Sequence, residues 1–130
     1  MYAFTVDVAL PFDAAIEKFK AALAAEKMGV VSDIDVAAIM KAKLDHEMAP
    51  YRILGACAPG LARRVIEADR DAGAMLPCGV AAMAVDANTT HFAFQDPMFM
   101  AKLTDNPVMQ AVASEARAML ERVRDHLAQS

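Results

Sequence analysis

The sequence contains no tryptophan, only two tyrosines and six phenylalanines. A platform of stacked rings, the device that grips single-stranded nucleic acid, is thin at best with so few aromatics. Basic charge is not in surplus either: 13 Lys and Arg stand against 17 Asp and Glu, for a net charge of −4. Nucleic-acid binding wants a basic face, so no nucleic-acid partner is expected. No apolar run approaches the ~20 residues of a membrane helix, so no membrane partner is expected. The opening MYAFTVDVALPF lacks a basic leader, and Asp7 interrupts its apolar run. It reads as a first strand and not as a secretion signal, which makes a cytoplasmic location the expectation. In that compartment the only two cysteines, Cys57 and Cys78, are expected as reduced thiols. No phosphate loop, nucleotide fingerprint or nucleophile elbow is present. The sequence therefore states no reaction and names no cofactor.

What is abundant is alanine and methionine, within a hydrophobic content of 57% over 130 residues. That length suits a single domain, residues 1–130, with one core. Tyr2 to Ala9 is rich in β-branched and aromatic residues and reads as a strand stopped by proline. Pro11 suits the first turn of a helix whose stripe is Phe12, Ile16, Phe19 and Leu23. Gly29 is expected to close that helix in the left-handed conformation. Val30 to Asp35 reads as a second strand. Asp35 then caps a short helix to about Leu44, with Val36, Ile39, Met40 and Leu44 on one face.

The third strand, Tyr51 to Cys57, alternates Tyr51, Ile53, Gly55 and Cys57 against Arg52, Leu54 and Ala56. Pro59 opens the next helix, with Leu61, Ala62, Val65 and Ile66 as its expected buried stripe. Cys78 to Asp86 and Thr89 to Gln95 form a hairpin across Ala87-Asn88. Asn106 and Pro107 launch the longest helix, whose stripe is Val108, Val112, Ala116, Met119, Leu120, Val123 and Leu127.

The order β-α-β-α-β-α-β-β-α with one-sided helical stripes predicts a two-layer α+β fold. Its helices cover one face of a mixed or mostly antiparallel sheet. The other face is left for solvent or a second subunit. Apolar residues of both parities, such as Val80, Met83 and Val85, make a homodimer the expectation.

Tyr51-Arg52-Ile53-Leu54 leads to Cys57-Ala58-Pro59-Gly60-Leu61-Ala62. Further on come Leu76-Pro77-Cys78-Gly79-Val80 and Asp96-Pro97. With these segments the chain resembles the domain-of-unknown-function 302 family over nearly its whole length. The resemblance implies a compact α/β domain, often dimeric, without an established biochemical role, and it supplies no catalytic residues. One position departs from the family pattern: Ala58 stands where an asparagine usually follows the first cysteine. The resemblance thus implies a helix cap that this chain lacks.

The two cysteines mark the candidate site. Cys57 precedes a helix N-terminus, where backbone N–H groups favour a thiolate. The competing reading is a small buried hydrophobe on a strand, among the commonest fates of a free cysteine. A reversible disulfide requires Cys57 and Cys78 to lie within ~7 Å of each other at Cα. His46, His91 and His126 have no ligand spacing, and Met75, Met83, Met98, Met100 and Met109 have no regular repeat. The leading expectation is a small apolar or redox-active ligand bound at the Cys57/Cys78 corner. Tyr51, Arg52 and Pro59 accompany the cysteines as candidate ligand-binding residues. A thiol redox protein or enzyme is the first alternative, and haem or metal binding the second.

Overall fold

The computed structural model describes residues 2–129. The strands are β1 (Ala3–Val8), β2 (Gly29–Asp35), β3 (Tyr51–Cys57), β4 (Cys78–Asp86) and β5 (Thr89–Gln95). Interleaved helices are α1 (Phe12–Ala25), α2 (Val36–Leu44), α3 (Pro59–Ala68), the short α4 (Met98–Ala101) and α5 (Pro107–Ala128). A 3₁₀ segment, Arg70–Met75, links α3 to β4. All strands join one sheet in the order β1-β5-β4-β3-β2, and every pairing is antiparallel. The fold is α+β, as the element order implies. The additional elements are the 3₁₀ segment and α4, the latter made by the Met98-Phe99-Met100 patch.

Alternation decides which residues enter the core. Leu54 on β3, Val80 and Ala82 on β4, and Phe92 and Phe94 on β5 face α1 and α5, and all are fully buried. Phe19 of α1 meets the Phe92 and Phe94 rings at 5.3 Å and 6.0 Å between centroids. Phe4 stacks on Phe94 at 5.2 Å. Thr90, the one buried polar residue among those described, donates its hydroxyl to the Leu10 carbonyl at 3.1 Å. A second cluster, Val65, Ala72, Met109 and Val112, joins α3 to α5 beside the main core.

The opposite face carries the other parity. Cross-strand pairing aligns Thr5, Ala93, Ala81, Ile53 and Ile34 in one row across all five strands. In this row Thr5, Ile53 and Ile34 are exposed, Ile53 by 41%, and Ala81 and Ala93 are half-buried. Of the three residues behind the dimer expectation, Val80 is buried under the helices, Met83 is half-buried on the open face, and Val85 is exposed near the hairpin.

Several local expectations are corrected. Gly29 does not close α1. Lys27 takes the left-handed conformation at φ 59°, while Met28 N donates back to Leu23 O at 2.9 Å, and Gly29 begins β2. Pro11 is the N-cap of α1 and lies outside its first turn. In α3 only Val65 is buried and Ile66 is exposed, because α5 covers a narrower strip than the sequence stripe offers. In α5 Val108 is exposed and Met109 takes the buried position. Helix α2 buries no residue at all, despite its apolar composition. Two capping expectations match the structure: Asp35 accepts from Ala38 N at 2.9 Å, and Asn106 from Val108 N at 2.9 Å.

Candidate functional site

Strands β3 and β4 are neighbours, and Ala56 pairs with Cys78. Cys57 is therefore diagonal to Cys78, where β3 ends and β4 begins. The corner is shaped by Gly55. A Cβ there would overlap Ser32 Oγ on one side and Pro77 Cγ on the other, so only glycine seats Pro77 against the strand. The Leu76–Pro77 bond is cis. Pro77 in turn delivers Cys78 into the sheet beside the end of β3.

Around this corner lies a cavity of about 420 Å³, within the usual range for small-molecule sites. The ends of three strands form its floor. Its walls are Leu61 and Val65 of α3, Met75 of the 3₁₀ segment, Met100 of α4, and Val112 and Ala116 of α5. Both cysteines and Met28 complete a largely aliphatic and sulfur-bearing lining. Charge enters the wall once, at Asp96, and that carboxylate is fully engaged. It accepts from Arg117 Nη1 at 2.5 Å and from Met98 N at 3.0 Å. No buried side-chain polar atom among the described residues lacks a partner.

Burial pushes the Cys57 thiol up, and it pushes Cys78 up as well, with the neighbouring Cys57 adding to the rise. The helix terminus does not reverse this. Pro59 holds the first helical position and has no N–H, and Ala58 at the N-cap offers no side-chain bond. Both thiols therefore stay protonated at neutral pH.

Of the five sequence candidates, Cys57 and Cys78 line the cavity, and Tyr51, Arg52 and Pro59 do not. Tyr51 and Arg52 stand at the far end of β3. Arg52 is bound to Asp33 on β2, its Nε donating to Oδ1 at 3.0 Å. The Asp33 carboxyl is held below its usual range chiefly by that hydrogen bond. Tyr51 lines a broad groove on the open face. His91 lies in the same groove, its Nδ1 2.5 Å from Asp7 Oδ1. His46 and His126 are exposed elsewhere. No group of three or more His, Cys, Asp or Glu suited to a metal occurs among the described residues.

Sequence reasoning passed over Gln95 and Phe99. Gln95 Oε1 accepts from Gly79 N at 3.0 Å, pinning the side chain at the cavity's edge. Phe99 had a signal that composition alone exposes. Phe4, Phe12, Phe19, Phe92 and Phe94 belong to the main core or pack against it, and the sixth phenylalanine, Phe99, is 46% exposed at the cavity.

Fold and site together define a small α+β domain with an apolar cavity at the strand ends. The family model described as domain of unknown function DUF302 matches residues 4–127, and the chain belongs to that family. An uncharacterized conserved DUF302 protein from Bacillus stearothermophilus, known from a crystal structure, is similar to it. The two share 25% identity over 98% of each chain, with a TM-score of 0.88. No curated protein matches this chain. Among the described residues no helix is long and apolar enough to cross a membrane.

Proposed function

We propose that this domain binds a small apolar ligand in the Cys57/Cys78 cavity and acts as a binding or sensing module. The observation that carries the reading is an aliphatic and sulfur-bearing chamber of about 420 Å³ whose one charged wall group is already neutralised. Such a lining rewards apolar surface and adapts to shape through its methionines. Protonated thiols give little support to the rival reading of a cysteine nucleophile, which needs the thiolate. For a metal ion, no group of three or more His, Cys, Asp or Glu side chains among the described residues lends support. The test is thermal unfolding and calorimetric titration with neutral probes such as toluene and indole. Stabilisation that disappears in Ala62→Phe, which fills the chamber from α3, is the expected result. No binding of any neutral probe would sink the reading.

A second reading concerns assembly. We propose that a second copy of the chain covers β2 and α2. Support comes from Val31, Ile34, Ile39 and Leu44, which are all exposed there, Leu44 by 70%. In addition, β2 is an unpaired sheet edge, the kind of strand that natural proteins otherwise blunt or cover. Sedimentation of the native chain should give a dimer, and Ile39→Lys should shift it toward monomer. A native chain that sediments as monomer at high micromolar concentration refutes this assembly.

A further inference from the structure

The chamber is not isolated. A groove of about 950 Å³ crosses the open face of the sheet, and Gly79, Gln95 and Phe99 line both hollows. The partition between them is thus two side chains and a glycine. Gly79 contributes no side chain to it, and a Cβ at that position would stand 3.9 Å from Gln95 Oε1, which is ordinary contact.

The two hollows differ in charge. The chamber has no free cation, and its carboxylate is committed to Arg117 and Met98 N. The groove is the reverse: no Asp or Glu lines it, and Arg124 does. The Arg124 guanidinium lies 5.5 Å from the Phe4 ring centroid. Its ion-pair partner is the adjacent Asp125, at 3.0 Å and largely exposed. The other titratable groups on the groove wall are His91, paired with Asp7, and the phenols of Tyr2 and Tyr51. Arg124 sits with Phe4 at the β1 edge, two strands from Gly79, or roughly 10 Å at strand spacing.

We infer that the chamber and the groove form one site for an elongated anionic amphiphile, such as a medium- or long-chain carboxylate. The alkyl tail fills the chamber, the chain passes Gly79, Gln95 and Phe99, and the carboxylate meets Arg124 in the groove. The charge distribution sets this direction, because an anionic head in the chamber would face Asp96 and no free cation. The inference rests on the apolar chamber proposed above and adds the length and charge of what occupies it.

The probes are hexanoate, dodecanoate and dodecyltrimethylammonium, titrated calorimetrically below their micelle concentrations, with toluene as the neutral chamber probe. Dodecanoate should bind at least tenfold more tightly than either hexanoate or the cationic analogue. Arg124→Gln should remove most of the preference for the anion and leave toluene binding unchanged. Gly79→Val, in the partition between the two hollows, should weaken dodecanoate more than it weakens toluene. Should that strand variant fail to fold, the surface variant Arg124→Gln decides. Toluene binding with no preference for chain length or for the anion overturns this inference and leaves the chamber reading intact. Failure of toluene and of all three amphiphiles overturns both.

Discussion

The two faces of the sheet are made by the same strands and meet different fates. On β5, Phe92 and Phe94 are fully buried, while the alternating His91, Ala93 and Gln95 are only half-covered. On β4, Val80 and Ala82 are sealed, and Gly79, Ala81 and Met83 are not. The covered face is filled with large aromatic and branched groups that interlock with α1 and α5. The open face is built from alanine, glycine and a few long side chains and leaves a broad groove, whereas on the covered side the room is confined to the chamber at the strand ends. The fully buried aromatic and branched side chains are concentrated on one side.

The sharpest way to break this contrast is to truncate one side chain on each face. Phe94→Ala should cost about 3–5 kcal/mol, the range for deleting a fully buried ring. Met83→Ala should cost less than about 1 kcal/mol. Urea unfolding of the two variants measures both, and equal losses would mean that the open face is covered in solution. Next in size is Gly55→Ala, where a methyl must displace Pro77 and Ser32. An overpacking cost of about 1–3 kcal/mol is expected. Ser32→Ala on top of it should recover only part, since Pro77 still blocks the site.

The charged and ionisable groups give smaller effects. Asp33 is held low by Arg52, so its contribution is present above the carboxyl's unfolded pKa and disappears as pH falls through the folded one. The pair is partly solvated, which limits the effect to about 1 kcal/mol or less. Acid titration of wild type against Asp33→Asn should show it as a shallower loss in the variant. The raised thiols have the opposite sign. Their contribution is whole below the unfolded thiol pKa and is lost as pH climbs through the folded values. Labelling of Cys57→Ser and Cys78→Ser variants with a thiol reagent should be slow at neutral pH and accelerate only in alkali. Fast labelling at pH 7 of either remaining cysteine would revive the nucleophile reading.

Much of this architecture is legible in the sequence because it is local. The period-2 alternation of Tyr51–Cys57 assigns both faces correctly, and Asp35, Asn106 and Pro107 mark their helix starts by backbone chemistry alone. What the sequence hides depends on distant partners. Ile66, Val108 and the stripe of α2 look buried by periodicity, but burial requires a neighbour that periodicity does not report. Lys27 displaces Gly29 as the left-handed residue because β2 recruits Gly29 to pair with Cys57. The corner at Cys57 and Cys78 is visible from their motifs. Its far wall is not, since Val112 and Ala116 arrive from α5 and Phe99 from a helical turn too short to carry a period.

The placement of β1 bears on how the chain reaches this state. Strands β2 to β5 follow one another across the sheet, so β3, β4 and β5 each pair with the strand made just before them. Strand β1 is the exception: it emerges before the others, yet its partner is β5, with Ala3 aligned to Gln95. Until Thr89–Gln95 is synthesised, both β1 and the apolar stripe of α1 have only part of the surface they eventually bury. Closing that span is the slow, non-local step that topology imposes on folding. The nascent chain therefore carries Phe12, Ile16 and Phe19 only partly shielded for most of its synthesis, and this interval is when it is most exposed to aggregation.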